Sequence, residues 1–231
     1  MARKTMTIIL SLVILSLLIG VPIAQAASPE TRISESIATL REMADEPDAK
    51  TMAMLLQKGK GVAIFPSVVK AGIFLGGKYG EGLVMQRDPQ NGNWYGPSFI
   101  KVKGVSYGLQ FGVQSTALVL VVNNAEGMES FQGLQKFTLG GDIGIAAGPV
   151  GRQAGASTDV ELKSAIYSYS ISKGLFAGLS LEGAIIETDD EANKLYWGKP
   201  MHPQEILDRK ATDSRVRPLL KELDDLMKKA S

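Results

Sequence analysis

Hydrophobic positions along the chain change their period twice. From Pro29 to Ala44, Ile33, Ile37, Leu40 and Ala44 recur every three or four residues, which predicts a helix with one apolar face. Ser28 is placed to cap it, with Pro29 at the first position, and Asp45-Glu46-Pro47-Asp48 ends it. A second short helix is predicted from Lys50 to Lys58, with Met52, Leu55 and Leu56 inward and Gly59 as its stop. From Gly61 to Thr188 the pattern becomes that of short strands: Val62–Phe65, Ile73–Leu75 and Gly82–Arg87, then Trp94–Phe99 beyond the turn cluster Asp88–Asn93. Tyr107, Leu109, Phe111 and Val113 alternate with Gly and Gln across Val105–Ser115, the period of a half-buried strand. Thr116–Asn123 is continuously apolar and predicts a central strand.

A short helix is predicted over Asn124–Gln132, capped by Asn123 or Asn124, with Met128 and Phe131 on one side. Further strand candidates are Phe137–Ala147, Ala154–Thr158, Ala165–Ser172 and Gly174–Ile186, many with glycine or alanine at alternate positions. Helical spacing returns at Ala192–Tyr196, in a segment beginning at Pro203, and at Val216–Lys229, where Leu219, Leu220, Leu223, Leu226 and Met227 make one apolar face. The fold class is therefore α+β: a curved, Gly-rich antiparallel sheet, barrel-like or sandwich, flanked by N- and C-terminal helices. Small residues on one face of a sheet are what tight packing or strong curvature requires.

The first residues change the picture of where the chain goes. Arg3 and Lys4 precede an apolar stretch from Met6 to Ile19, followed by Gly20, Pro22 and Ala24-Gln25-Ala26. A basic start, a short apolar core and a small-x-small exit predict a signal peptide over residues 1–26 with cleavage after Ala26, and hence a periplasmic or secreted protein. The competing reading is a membrane anchor, against which stand Gly20, Pro22 and an apolar core shorter than the ~20 residues a span needs. Residues 27–231 are then one domain.

Composition removes several chemistries. The chain has no cysteine, so disulfides, cysteine-linked lipid and cysteine-ligated zinc are excluded. Without Arg3 and Lys4 there are 23 basic against 24 acidic residues, so no global field draws nucleic acid or an anionic bilayer, and such binding needs a local patch. His202 is the only histidine, and beside Pro203 it reads as a surface loop residue. Glu81 and Glu182 have the residue type for an acid–base pair, but no nucleophile, metal-ligand set or phosphate loop accompanies them. Gly140-Gly141-Asp142-Ile143-Gly144 lacks the strand-then-helix setting of a dinucleotide fingerprint. No enzyme, metal or cofactor is expected. Phe65, Tyr79, Tyr107 and Phe111 read as core aromatics.

Residues 58–82 carry the most information, because glycines recur through two apolar runs on either side of Pro66-Ser67. Gly59-Lys60-Gly61-Val62-Ala63-Ile64-Phe65-Pro66, Lys70-Ala71-Gly72 and Gly76-Gly77-Lys78-Tyr79-Gly80-Glu81-Gly82 follow one another, and three more blocks come in order: 106–115, 172–183 and Asn193-Lys194-Leu195-Tyr196-Trp197-Gly198. This succession resembles the SYLF domain family over about residues 51–208; the Asp88–Asn93 insert and the tail from Thr212 depart from it. The resemblance implies a non-enzymatic lipid-binding module, with phosphoinositide binding and actin organisation among eukaryotic members. The signal peptide argues against actin as a partner here.

Lys58, Lys60, Lys70 and Lys78 stand among glycine-rich turns and are candidates for a basic surface that meets anionic phospholipid or phosphoinositide-type head groups. The plain alternative is solvated charges at strand ends. Arg32 and Arg41 beside the apolar face of the first helix offer a second contact, although the same face is equally suited to covering the sheet. The rival functions are a cell-envelope structural or protein-interaction module with an envelope protein partner, and a carrier of an apolar ligand inside the curved sheet.

Overall fold

Ser28 opens the first helix as its position predicts: its side chain accepts the Thr31 N–H at 3.1 Å, and α1 runs Pro29–Ala44. In this computed structural model the described residues are 26–133, 135–148, 164–173 and 181–230; for 72–75, 106–112 and 172–173 only the backbone is described. The predicted signal peptide (but for Ala26) and the strand candidate Ala154–Thr158 lie outside the described residues, as does most of Gly174–Ile186. Helix α2 (Ala49–Lys58) stops at Gly59, whose backbone is extended rather than left-handed.

The predicted short strands are corrected most. Val62–Phe65, Ile73–Leu75 and Gly82–Arg87 merge into one strand, β1 (Gly61–Arg87, 27 residues). Trp94–Phe99, Val105–Ser115 and Thr116–Asn123 merge into β2 (Trp94–Val122, 29 residues). The two form one antiparallel hairpin closed by the Asp88–Asn93 turn, where Asp88 and Asn93 bond through their backbones at 2.9 Å. Register shifts at Phe65/Val68, Gly72/Phe74 and Val84/Gln86 let the ladder bend without ending. Pro66, which has no N–H for a ladder, falls in the first of these irregularities.

The hairpin bends so far that β1 packs against itself. A Cβ on Gly82 would lie 2.3 Å from the Ile64 carbonyl oxygen, and one on Gly80 would lie 2.9 Å from that of Ser67. Only glycine permits that approach of backbone to backbone. The glycine density of 58–82 is thus the mark of a curled sheet.

Helix α3 (Ala125–Gly133) follows, with Asn124 Oδ1 accepting the Gly127 N–H at 2.9 Å. The predicted strand Phe137–Ala147 is two short ones, β3 (Lys136–Thr138) and β4 (Ile145–Ala147). A tight turn separates them, in which Asp142 Oδ2 accepts the Thr138 N–H at 2.7 Å. Strands β5 (Ile166–Lys173) and β6 (Ile185–Thr188) complete a sheet ordered β3-β6-β2-β5-β4, with β1 on the other edge of β2. Thr116–Val122 is a central stretch as predicted, paired with β1 on one side and β5 on the other. Helices α4 (Asp190–Trp197), α5 (Pro203–Leu207) and α6 (Arg217–Lys228) close the chain.

Two apolar cores follow from the curl. Outside it, Ile33 and Leu40 of α1, Leu56 of α2 and Leu219 and Leu223 of α6 cover Ile64, Leu83, Phe99 and Val119. Inside it, Phe65, Val84, Leu118, Leu120, Phe131 and Ile186 pack together. Residues 117–122 are buried on both faces, which is why that run is continuously apolar. The apolar face of α1 covers the sheet.

Candidate functional site

Among the described residues, both layers of cover stop short of the bend of the hairpin. Val69 and Tyr79 are 40% and 43% exposed there, and Val105 and Val113 reach 62% and 76%. Val69 pairs with Ser115 and Ala71 with Val113, so these four side chains share one face of the ladder. Tyr79 and Val105 share the corresponding face of the other half, since Tyr79 pairs with Lys103 and Gly77 with Val105. Tyr79 is therefore a surface aromatic, not the core residue expected, and its hydroxyl donates to Glu81 Oε1 at 2.7 Å. Burial, and then the Glu81 carboxylate, push the Tyr79 phenol above its ordinary pKa. Phe65 is core, as expected; the side chains of Tyr107 and Phe111 lie outside the described residues.

The lysines divide between the start of β1 and its middle. Lys58 ends α2 and Lys60 precedes β1, where the Lys60 N–H donates to Val122 O at 2.8 Å. Lys70 and Lys78 lie on either side of the bend, ten and eighteen residues along the chain from Lys60. The structure brings Lys70 and Lys78 together and leaves Lys58 and Lys60 apart from them. Alternation puts Lys70 and Lys78 on the inner side of the curl with Gln114 and Thr116. Lys78 is only 5% exposed, and burial followed by the charge of Lys70 lowers its pKa. A Cβ on Gly104, its ladder partner, would fall 2.4 Å from Lys78 Cε, so the glycine makes room for the lysine chain.

The two arginines of α1 are placed differently, and both have carboxylate partners. Arg41 is largely exposed, and its Nε donates to Glu222 of α6 at 2.8 Å. Arg32 is 1% exposed and points into the protein. Its guanidinium binds Glu81 Oε2 at 3.0 Å and Asp189 Oδ2 at 2.8 Å, while Lys101 holds Asp189 Oδ1 at 3.0 Å. Burial alone would raise the Asp189 pKa, but hydrogen bonds from Lys101, Arg32 and the Ala192 N–H outweigh it and hold the carboxyl below its ordinary value. This hub ties α1, β1, β2 and α4 together. Glu81 is engaged there and Glu182 sits beside Gly140 in the turn before β6, so the structure gives them no shared acid–base geometry. His202 caps α5, Nδ1 accepting the Gln204 N–H at 3.4 Å.

The Asn193–Gly198 block acts as an anchor, a role its sequence did not disclose. Asn193 spans Phe99, accepting its N–H at 2.8 Å and donating to its carbonyl at 3.0 Å. Tyr196 packs on Phe99 with ring centroids 5.4 Å apart, under the guanidinium of Arg215, and Trp197 Nε1 donates to Pro97 O at 3.1 Å. Gly198 then ends α4 at φ 75°. Among the described residues, no cluster of three or more Asp, Glu or His is placed to hold a metal ion, and no helix is long and apolar enough to cross a membrane.

Among the described residues, the curled hairpin is sheathed by terminal helices at its base and has exposed side chains toward its bend. The model of the Ysc84 family, described as Las17-binding protein actin regulator, matches residues 103–226. The chain belongs to this family, whose domain is the SYLF domain. It is 38% identical over 173 residues to Protein YSC84 of Saccharomyces cerevisiae, covering 74% of this chain and 36% of that protein. It is 35% identical over 161 residues to the SH3 domain-containing YSC84-like protein 1 of Bos taurus, covering 70% and 47%. With LAS seventeen-binding protein 3 of Saccharomyces cerevisiae the figures are 36% over 166 residues, 71% and 35%. The chain thus spans between a third and a half of the length of these relatives.

The comparisons correct one expectation. The argument against actin as a partner does not stand, because the family carries the description of an actin regulator and a yeast relative is named for binding Las17. A leader sequence bears on where a chain is sent and says nothing of which surface its domain recognises.

Proposed function

We propose that this protein is an exported, non-catalytic module that binds lipid surfaces through the bend of the β1–β2 hairpin. The observation that carries this reading is the exposure of Val105 and Val113 on a bend that also holds Lys70. Two exposed valines on the outer face of the ladder, one on each side of the bend, suit shallow insertion below the head groups, since fully burying one such side chain is worth about 1.5–3 kcal/mol. A lysine near an anionic surface adds about 1 kcal/mol, so binding is electrostatically assisted and weakens with salt. The lysines at this bend are Lys70 and Lys78, on the inner side of the curl and so on the opposite face of the ladder from the two valines; Lys58, Lys60, Arg32 and Arg41 lie elsewhere or are engaged in the fold.

Flotation with phosphatidylcholine vesicles, with and without phosphatidylglycerol or a phosphoinositide, at low and high salt, tests the reading. Preferential recovery with anionic vesicles at low salt is expected, and Val113→Glu, at an already exposed position, should reduce it more than tenfold. Equal recovery with all vesicles, or full recovery of Val113→Glu, overturns it.

A second reading is a protein-binding role of the actin-regulator kind, and the family description favours it. Co-sedimentation of the protein with actin filaments, expected under this reading and not under the first, separates the two.

A further inference from the structure

Ala27 lies where the start of the described chain meets the ion-pair hub. Its backbone nitrogen donates to Glu81 Oε2 at 2.9 Å, and its carbonyl accepts Arg32 Nε at 3.1 Å. A cavity of about 360 Å³ opens beside it, lined by Ala26, Arg32, Glu35, Tyr79 and Glu81 among others. The bond immediately before that nitrogen is the one at which the Ala24-Gln25-Ala26 pattern predicts leader removal.

We propose that cleavage after Ala26 turns the Ala27 nitrogen into an α-ammonium that docks on Glu81, so that processing completes the hub and fastens α1 to β1. The inference rests on the export reading above. In the uncut chain this nitrogen is a neutral amide with one proton. Hydrolysis by an export peptidase adds the water hydroxyl to the Ala26 carbonyl, which ionises. The protons released make a primary ammonium with three donors and one positive charge. An ammonium beside a carboxylate forms a stronger, charge-assisted bond than an amide does. The charges also come into balance. Without the new terminus Arg32 and Lys101 face Glu81, Asp189 and Glu35 on the cavity wall; with it there are three of each sign.

The test compares two proteins, one beginning at Ala27 and one retaining Gln25-Ala26 before it, each with and without Glu81→Gln. At pH 6 the Ala27 form is expected to melt about 2–4 °C higher, a shift typical of one added interaction in a domain of this size. A terminal amine paired with a carboxylate has its folded pKa raised above the ordinary ~7.7–8.0. Its contribution is therefore complete below about pH 7.7 and lost as pH rises through the folded value, so the gap should close by about pH 9.5. Glu81, Tyr79, Arg32, Glu35, Lys101 and Asp189 face the terminus in both proteins and cancel in the difference. Glu81→Gln should abolish the gap.

Equal melting at pH 6, or a gap that survives Glu81→Gln, overturns the docking. If Glu81→Gln does not fold, titration of the α-amine by NMR after isotopic methylation decides: a pKa above 8 supports the pairing, and one at or below 7.7 overturns it. The intact mass of protein recovered from the periplasm of an expressing bacterium tests processing separately. A terminus at Ala27 supports it, and any other terminus overturns it without touching the docking result.

Discussion

Replacing Arg32 by methionine removes the charge at the centre of the hub while keeping most of the side-chain volume. Two carboxylates lose their shared cation: Asp189, 2% exposed, and Glu81, 13% exposed. Removing one partner of a buried pair costs about 3–5 kcal/mol, because the remaining charge stays desolvated. Here the lower part of that range applies, since Asp189 keeps Lys101 at 3.0 Å and Glu81 keeps Tyr79 at 2.7 Å. A loss of about 3–4 kcal/mol is therefore expected, against a total stability of about 5–15 kcal/mol for an ordinary domain. Urea denaturation should show it as a lower midpoint with an unchanged slope. Acid sharpens the test. The Asp189 pKa is depressed in the folded state, so its contribution is present above the unfolded value near 3.9 and disappears as pH falls through the folded value. Without Arg32 that depression shrinks, and the acid limb of the stability curve, below the unfolded value, should flatten. A destabilisation below about 1 kcal/mol, or an unchanged acid limb, would refute the claim that Arg32 is a structural cation.

Three further outcomes follow from contacts already described. Gly82→Ala forces a methyl to 2.3 Å from the Ile64 carbonyl oxygen, and should cost about 1–3 kcal/mol in chemical denaturation as overpacked sites do. Asn193→Ala removes the acceptor of the buried Phe99 N–H, while the Phe99 carbonyl keeps the Asp189 N–H at 2.9 Å, and should cost about 1–3 kcal/mol, one unsatisfied group's worth. Val113→Glu should change the midpoint by less than about 0.5 kcal/mol, because the position is 76% exposed, while reducing vesicle binding.

The helices were legible because each carries its own signal: Ser28 and Pro29 at the start of α1, the leucine face of α6, Asn124 before α3. The curl was legible only as glycine density. Its cause, Gly80 and Gly82 touching Ser67 and Ile64 across a folded strand, depends on contacts that no local window contains. For the same reason β1 and β2 read as six short strands, since bulges interrupt the period without interrupting the ladder. Arg32 illustrates the limit for site residues. A basic residue beside an apolar helix face reads as exposed, and its partners Glu81 and Asp189 lie far along the chain. Lys70 and Lys78 could be chosen as a pair from the glycine-rich stretch, but not separated from Lys58 and Lys60, because the length of an unbroken strand was hidden. The exposed valines gave no sequence signal of their own. Val113 continues an alternating pattern that elsewhere marks a half-buried strand, and only its exposure among the described residues distinguishes it.

The absence of cysteine allows a direct measurement of what the bend touches. Val113→Cys, Val105→Cys and, on α4, Leu195→Cys (a position 73% exposed) can each carry one environment-sensitive fluorophore. On adding phosphatidylglycerol-containing vesicles at low salt, the labels at 113 and 105 should shift to the blue and become shielded from aqueous quencher, while the label at 195 stays in water. Labels at 113 and 105 that remain aqueous while the protein floats with the vesicles would contradict the account.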